Sequence, residues 1–317
     1  MKQESLFPHL EARRRPYPKA VNVASVPQRS PFRYPGGKTW FVPTFRKWIF
    51  SMPSNPRLLV EPFAGGGIIS LTALFEKLVQ KAIMIERDEG IAAVWQSVVG
   101  GDAEWLAQKI LDFKLTKENV LNEINRKGVD KKHIAFQTIL KNRTFHGGIL
   151  AEGSSFLKYG ENGKGIQSRW YPQTLATRFR NLDLIASHLE AFCGDGLQTL
   201  YVHAADVDTI FFIDPPYTAG GKKAGRRLYK HYDLDHERLF EVCASLTGDF
   251  IMTYDLADEV KSLVRKHGFE MKPVAMKNTH HAEMTELVIG RDLSWMSDVQ
   301  VIRDGKVPYH KSSRTKR

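Results

Sequence analysis

Phe211-Phe212-Ile213-Asp214-Pro215-Pro216-Tyr217 carries an apolar run into an acid, two prolines and an aromatic ring. The first three residues suit a buried strand. The prolines lack N–H donors and cannot extend a sheet ladder, so the chain must leave the sheet just after Asp214. A carboxylate, bare backbone carbonyls and the Tyr217 ring are thereby gathered at a strand's carboxyl end. In open α/β sheets this is where ligands bind. The group suits a planar molecule bearing an amino group. The acid and a carbonyl accept from the amine, and the ring lies on the plane.

Working backward, Arg57 to Phe63 reads as a second buried strand, and Gly65, Gly66 and Gly67 as a turn. Ile68 to Val79 reads as a helix and Ala82 to Ile85 as a strand ending at Glu86, with a further helix through Val99. A strand, a glycine turn, a helix and a strand ending in an acid make the first half of a nucleotide-binding sheet. Glycines at the turn let backbone approach a ligand closely and tolerate positive φ. Glu86 is spaced to accept both hydroxyls of a ribose. Two rival motifs fail. Gly37-Lys38-Thr39 ends like a phosphate-binding loop, but Phe32 stands where its first glycine is needed. Gly65 and Gly67 begin a Gly-x-Gly-x-x-Gly pattern that meets Ser70 at its last position. Neither an ATPase nor a typical dehydrogenase is supported.

From about 100 to 184 the strand–helix alternation stops. Helical patterns occur near 103–113, 117–126 and 131–141, followed by a polar stretch from Gly147 to Gln173. We read this as an inserted, mostly helical module. Sheet patterning resumes near Phe192, with strands expected at 209–213, 249–254, 270–276 and 284–290 and helices near 236–246 and 256–267.

Composition narrows the classes. The 317 residues are 42% hydrophobic, enough for a sizeable core. The net charge of +11 suggests a polyanionic partner, but residues 1–31 hold +4 of it and residues 303–317 hold +5. Both tails read as disordered basic segments. Arg13, Arg14 and Arg15 suit either a phosphate-touching arm or a solvated tail. Cys193 and Cys243 lie far apart and build no disulfide framework or metal cluster, which favours a reducing cytoplasm. His280 and His281 are adjacent, so they point apart on a strand, and no metal site is expected. There is no apolar signal region and no bilayer-length stretch, so neither secretion nor membrane insertion is expected.

The order of these pieces resembles one family. Phe32-Arg33-Tyr34-Pro35-Gly36-Gly37-Lys38 precedes Glu61-Pro62-Phe63-Ala64-Gly65-Gly66-Gly67. Glu86, the helical module, Asp195 and Asp214-Pro215-Pro216-Tyr217 follow. From Phe32 to Arg291 the chain resembles the S-adenosyl-L-methionine-dependent DNA adenine-N6 methyltransferases whose target-recognition insert precedes the Asp-Pro-Pro-Tyr motif. Arg169-Trp170-Tyr171-Pro172 with Leu175 and Arg178, and Asp235-His236-Glu237-Arg238-Leu239, are similar to further elements of that family. Asn142-Arg143-Thr144-Phe145-His146-Gly147-Gly148 departs from it, because many members have Phe-Asn-Gly where this chain has His-Gly-Gly.

The resemblance implies an α/β, Rossmann-like methyltransferase sheet. Residues 32–99 and 185–292 would form the catalytic domain, and 100–184 the DNA target-recognition insert. Asp214 and the Pro215 carbonyl would accept from the target amine, and Tyr217 would stack on a base extruded from double-stranded DNA. Tyr34, Gly37 and Lys38 would close over the cofactor. Glu61, Phe63, Ala64 and the three glycines would line it, Glu86 would take its ribose, Asp195 its adenine amine, and Asp214 would also face it. A helix cap is the lesser alternative for Asp195. Lys222, Lys223, Arg226, Arg227 and Lys230 follow the catalytic motif directly, so they suit phosphate contacts as well as a solvated face. Arg143, Arg169 and Lys158 in the insert are weaker DNA-binding candidates. Such enzymes serve restriction–modification beside an endonuclease of the same site, replication timing or phage self-protection. Cytosine-N4 methylation, RNA adenine methylation and a DNA-binding regulator that has lost catalysis stay open.

Overall fold

The computed structural model describes residues 26–34, 36–150, 153–160, 163–217, 233–277 and 283–296. The basic candidates from Lys222 to Lys230, the pair His280 and His281, Arg13 to Arg15 and the 303–317 tail lie outside the described residues.

Seven strands form one sheet: β1 (Leu58–Glu61), β2 (Lys81–Glu86), β3 (Leu189–Cys193), β4 (Thr209–Ile213), β5 (Phe250–Asp255), β6 (Glu270–Lys277) and β7 (Glu283–Gly290). Their order is β3-β2-β1-β4-β5-β7-β6. The first five are mutually parallel, and β7 runs antiparallel to both its neighbours. This is a Rossmann-like α/β sheet with one antiparallel strand set between β5 and β6. β1 pairs with β2 on one side and β4 on the other, so the strand order reverses between β1 and β4. The crevice outside the carboxyl ends at such a reversal is the expected binding site. Because β7 is antiparallel, its early residues reach the edge where the parallel strands end.

β1 and β4 are buried along their whole length because both faces are covered. On one face Leu59, Phe212, Ile251 and Val288 pack with α1 (Val42–Ser51), α2 (Ile68–Phe75) and α3 (Glu89–Val99). On the other, Val60, Phe211, Met252 and Leu287 pack with Leu239 and Phe240 of the helix His236–Ser245 and with Val260 and Val264 of Asp258–Lys266.

The segment 100–184 supplies α4 (Ala103–Asp112), α5 (Lys117–Ile124), α6 (Lys131–Thr144) and α7 (Pro172–Asp183). Leu106, Ile110, Phe136, Ile139, Leu175 and Phe179 belong to the same buried cluster as Trp95 and Val98 of α3. These helices therefore continue the sheet's core rather than enclosing one of their own.

Three details depart from the sequence reading. The α2 helix ends at Phe75 and not Val79, because Lys77 adopts φ 54 and the Leu78 N–H turns back to the Ala73 carbonyl. The polar stretch expected to run to Gln173 gives way to α7, which starts with Pro172 in its first turn, where a missing N–H is harmless. Neither α1 nor α8 (Gly196–Val202) was anticipated. Cys193 is exposed and Cys243 buried, and both are free thiols. No described helix is long and apolar enough to cross a membrane.

Candidate active site

Asp214 sits one residue past β4, on the sheet face that also carries Phe212, as strand alternation dictates. Its Oδ1 is crowded by donors. Thr253 Oγ1 donates to it at 2.8 Å and Tyr217 Oη lies at 2.9 Å. Lys38 Nζ lies at 2.9 Å and also donates to the Gly36 carbonyl at 3.0 Å. Oδ2 takes no hydrogen bond among the described residues, and the side chain is 20% exposed. Oδ1 is thus held in place while Oδ2 stays available as an acceptor.

A second carboxylate joins this cluster. Glu286 on β7 lies 2.9 Å from Tyr217 Oη and 3.4 Å from Lys38 Nζ. Burial pushes its pKa up against the opposing pull of Lys38. Burial alone would lower the Lys38 pKa, but Asp214 and Glu286 outweigh it and the net displacement is upward. Burial, reinforced by the two carboxylates, holds the Tyr217 phenol well above its ordinary value. The phenol is therefore a donor at any physiological pH.

The Tyr217 ring stacks on Tyr254 at 5.7 Å and 21°, and Lys38 Nζ lies 5.0 Å from its centroid. Tyr254 is in turn fixed by His236, whose Nδ1 lies 2.7 Å from the tyrosine oxygen. Asp235 caps the helix that carries His236 by accepting from the Arg238 N–H at 2.9 Å. The Asp-His-x-x-Leu element thus acts on the site through two stacked tyrosines.

The glycine turn lies beside this cluster. Gly65 and Gly67 have φ of 47° and 62°. A Cβ on Gly67 would meet Met84 Sδ at 2.8 Å, and one on Gly65 would enter the Tyr34 ring at 2.6 Å. Tyr34 therefore lies directly on the turn. Trp95 Nε1 donates to the Gly65 carbonyl at 2.9 Å, and the Ala64 N–H ties the turn to Ile85 at 2.9 Å. Phe63 is half-buried against the opposite core.

Glu61 ends β1 and is buried, accepting from the Ser70 N–H at 3.0 Å and from the Ser70 hydroxyl. Burial lifts its pKa to about 8 despite these bonds, and Asp214 adds to the rise. Glu86 ends β2, with Oε2 accepting from the Gly65 N–H at 2.9 Å and Oε1 from the Asp88 N–H at 2.8 Å. Burial lifts its pKa to about 7. The Arg87 N–H also donates to this carboxylate, which leaves acceptor capacity for about one further donor. Asp195 follows β3, where Cys193 pairs in register with Glu86. It is exposed and caps α8 through the Leu197 N–H at 2.8 Å, so the capping role is realised and one oxygen is left over.

Gly36 and Gly37 close a turn in which the Gly37 N–H reaches the Tyr34 carbonyl at 3.1 Å. Lys38, expected beside Tyr34 over the cofactor, meets the Asp214 carboxylate. Asn142 clamps this segment. Its amide donates to the Arg33 carbonyl at 3.0 Å and the Gly148 carbonyl at 2.9 Å, and its oxygen accepts from the Arg33 N–H at 2.9 Å. A Cβ on Gly148, whose φ is 74°, would stand 2.5 Å from the Arg33 carbonyl. Glycine at 148 thus has a steric reason.

Arg143 is 4% exposed and donates to the Pro31 carbonyl. Burial, with Arg178, Arg33 and Arg169 nearby, lowers its pKa to about 9. In this arrangement it props the segment leading to Tyr34 and does not face solvent. Arg169 is half-buried beside it, and Arg178 donates to the Ser30 carbonyl at 2.9 Å. Pro215 is buried and Pro216 half-buried.

Sequence reasoning missed Thr253, Tyr254, Glu286 and the clamp by Asn142. A lone acid inside the strand pattern Thr285-Glu286-Leu287-Val288-Ile289 was the available signal for Glu286. No family model matches the chain, and no curated protein matches it. Among solved structures, the chain aligns with a proposed RNA methyltransferase of Pyrococcus horikoshii at 12% identity and a TM-score of 0.37, over 82% of this chain and 84% of that one. A likeness at that level bears on neither fold nor function, and the fold rests on strand order and register.

Proposed function

We propose that this protein is a site-specific DNA methyltransferase that uses S-adenosyl-L-methionine to methylate adenine N6. One observation carries the reading. Asp214 has one oxygen fixed by Lys38, Thr253 and Tyr217 and the other without a hydrogen-bond partner among the described residues. Glu61 and Glu86 end the neighbouring parallel strands, and Glu86 holds the Gly65 N–H of the glycine turn.

The residues fit a cationic nucleoside cofactor. Glu61 is a buried carboxyl whose pKa stands at about 8, so a cation placed beside it would recover that burial cost. Glu86 keeps acceptor capacity for a ribose hydroxyl, and Asp195 keeps one oxygen for an adenine amine. Gly65 to Gly67 and the Tyr34 ring would enclose the remainder. When bound, the cofactor supplies an electrophilic methyl group on a sulfonium.

The protein's own part is positioning and electrostatics. Asp214 Oδ2 accepts from the exocyclic amine and draws the nitrogen lone pair out of conjugation with the ring. The Pro215 carbonyl is the second acceptor. The proton that the nitrogen sheds on methylation passes to Asp214 or to solvent. The target base must leave its duplex to reach the site. Tyr217 is the base-stacking candidate. Its ring already rests on Tyr254, so a base would meet the part of it that stays exposed.

The substrate is tested by transfer of labelled methyl to unmethylated genomic DNA and to total RNA, each followed by nucleoside digestion. Label in N6-methyladenine of DNA is expected. Label in N4-methylcytosine would change the base, label in RNA would change the polymer, and cofactor binding with no label on either would favour an inactive DNA-binding regulator.

A further inference from the structure

Tyr217 Oη has two carboxylate oxygens at hydrogen-bond distance and only one hydrogen. Asp214 Oδ1 and Glu286 Oε2 each lie 2.9 Å away. If the phenol donates to one, the contact to the other needs a hydrogen from that carboxyl. Three observations decide which acid holds it. Lys38 Nζ is nearer to Asp214, at 2.9 Å, than to Glu286, at 3.4 Å. Thr253 donates to Asp214 Oδ1. The Asp214 side chain is 20% exposed and that of Glu286 only 7%. Each favours the anion on Asp214 and the proton on Glu286.

We propose that Glu286 is a positioning residue that stays protonated, donates to Tyr217 Oη, and through that hydroxyl locks Asp214 with Oδ2 toward the target amine. The upward displacement of the Glu286 pKa by burial agrees with this. The charged or titratable groups facing Glu286 are Lys38, Asp214, Tyr217 and its register partner Asp255 on β5. Its β6 neighbour, Val274, is apolar. Ionising Glu286 would set two anions against one phenolic hydrogen. Asp214 would then share its lock, and the amine acceptor would loosen.

The positioning role rests on the methyl-transfer reading, whereas the proton on Glu286 does not. The test therefore has two arms. In the first, the whole chain is labelled with carboxyl-carbon-13 glutamate, and the Glu286 signal, assigned with Glu286→Gln, is followed by NMR against pH. A midpoint above the pH of the transfer assay, well over the ordinary glutamate value of about 4.3, is expected. A midpoint below the assay pH overturns the proposal. In the second arm, methyl transfer to DNA is measured for Glu286→Ala and Glu286→Gln. The alanine variant should lose about tenfold in kcat, the scale of one hydrogen bond to a charged group, with cofactor KM unmoved. Glutamine keeps a donor, so it should restore most of that rate and remove the decline that wild type shows as pH rises through the Glu286 midpoint. A glutamine variant as slow as alanine overturns the proposal. A raised midpoint with no transfer by wild type would reject methyl transfer and the positioning role with it, and leave the proton on Glu286.

Discussion

Lys38 Nζ lies 2.9 Å from Asp214 Oδ1, and the lysine is 4% exposed. One ammonium therefore serves two carboxyl groups, because Glu286 shares it. Removing it should leave the Asp214 carboxylate with only hydroxyl donors. Lys38→Met is expected to lower unfolding free energy by about 3 kcal/mol, the low end for breaking a buried pair, because Asp214 is partly solvated. Urea denaturation measures this. A loss below about 1 kcal/mol would mean that the pair contributes no more than a surface bridge.

Glu61 and Glu86 predict a pH dependence of a definite sign. Burial raises both pKa values, Glu61 from 4.5 to about 8 and Glu86 from 4.5 to about 7. The folded chain binds more protons than the unfolded one between those limits, so stability falls as pH rises. The fall should begin near the ordinary carboxylate value and be complete near pH 8, at up to about 1.4 kcal/mol per pH unit for each group. Glu61→Gln should remove the upper part of that slope. Cofactor binding should release protons at pH 7, read as a buffer-dependent calorimetric enthalpy. Stability that rises over this window would contradict the burial of both carboxyls.

Gly148 should not tolerate a side chain. Its φ of 74° and the 2.5 Å approach to the Arg33 carbonyl give alanine no position without moving backbone. Gly148→Ala is expected to cost about 1–3 kcal/mol. Because Arg33 leads into Tyr34, cofactor affinity should fall as well. Normal affinity in a destabilised variant would show that the Asn142 clamp and the Tyr34 ring are uncoupled.

Tyr217 carries two separable functions, a hydroxyl held by two acids and a ring. Tyr217→Phe keeps the ring and should lower kcat about tenfold. Tyr217→Ala removes both and should lower kcat further, with a smaller effect on duplex binding. Equal rates for the two variants would remove the stacking role.

The sheet was legible because its signals are local. Phe211 to Ile213, Arg57 to Phe63 and the Gly65–Gly67 turn announce strands and a close backbone approach within a few residues. The same holds for Glu86 and Asp214, each an acid ending an apolar run. Lys38 was legible as a site residue but not as the partner of Asp214, because that contact depends on how the 38–41 turn folds over the sheet. Glu286 was hidden for a topological reason. Only the antiparallel course of β7 between β5 and β6 carries its early residues to the crevice. Arg143 looked like a phosphate ligand by type and motif. Its burial beneath the 30–33 segment follows from tertiary packing that no local pattern encodes.

The most direct test compares wild type with Asp214→Ala for transfer of labelled methyl from S-adenosyl-L-methionine to unmethylated DNA, with cofactor affinity measured on both. Transfer by wild type that vanishes in the variant, with cofactor affinity retained, is the expected result. Transfer that persists without the Asp214 carboxylate would contradict its assignment as the acceptor of the target amine.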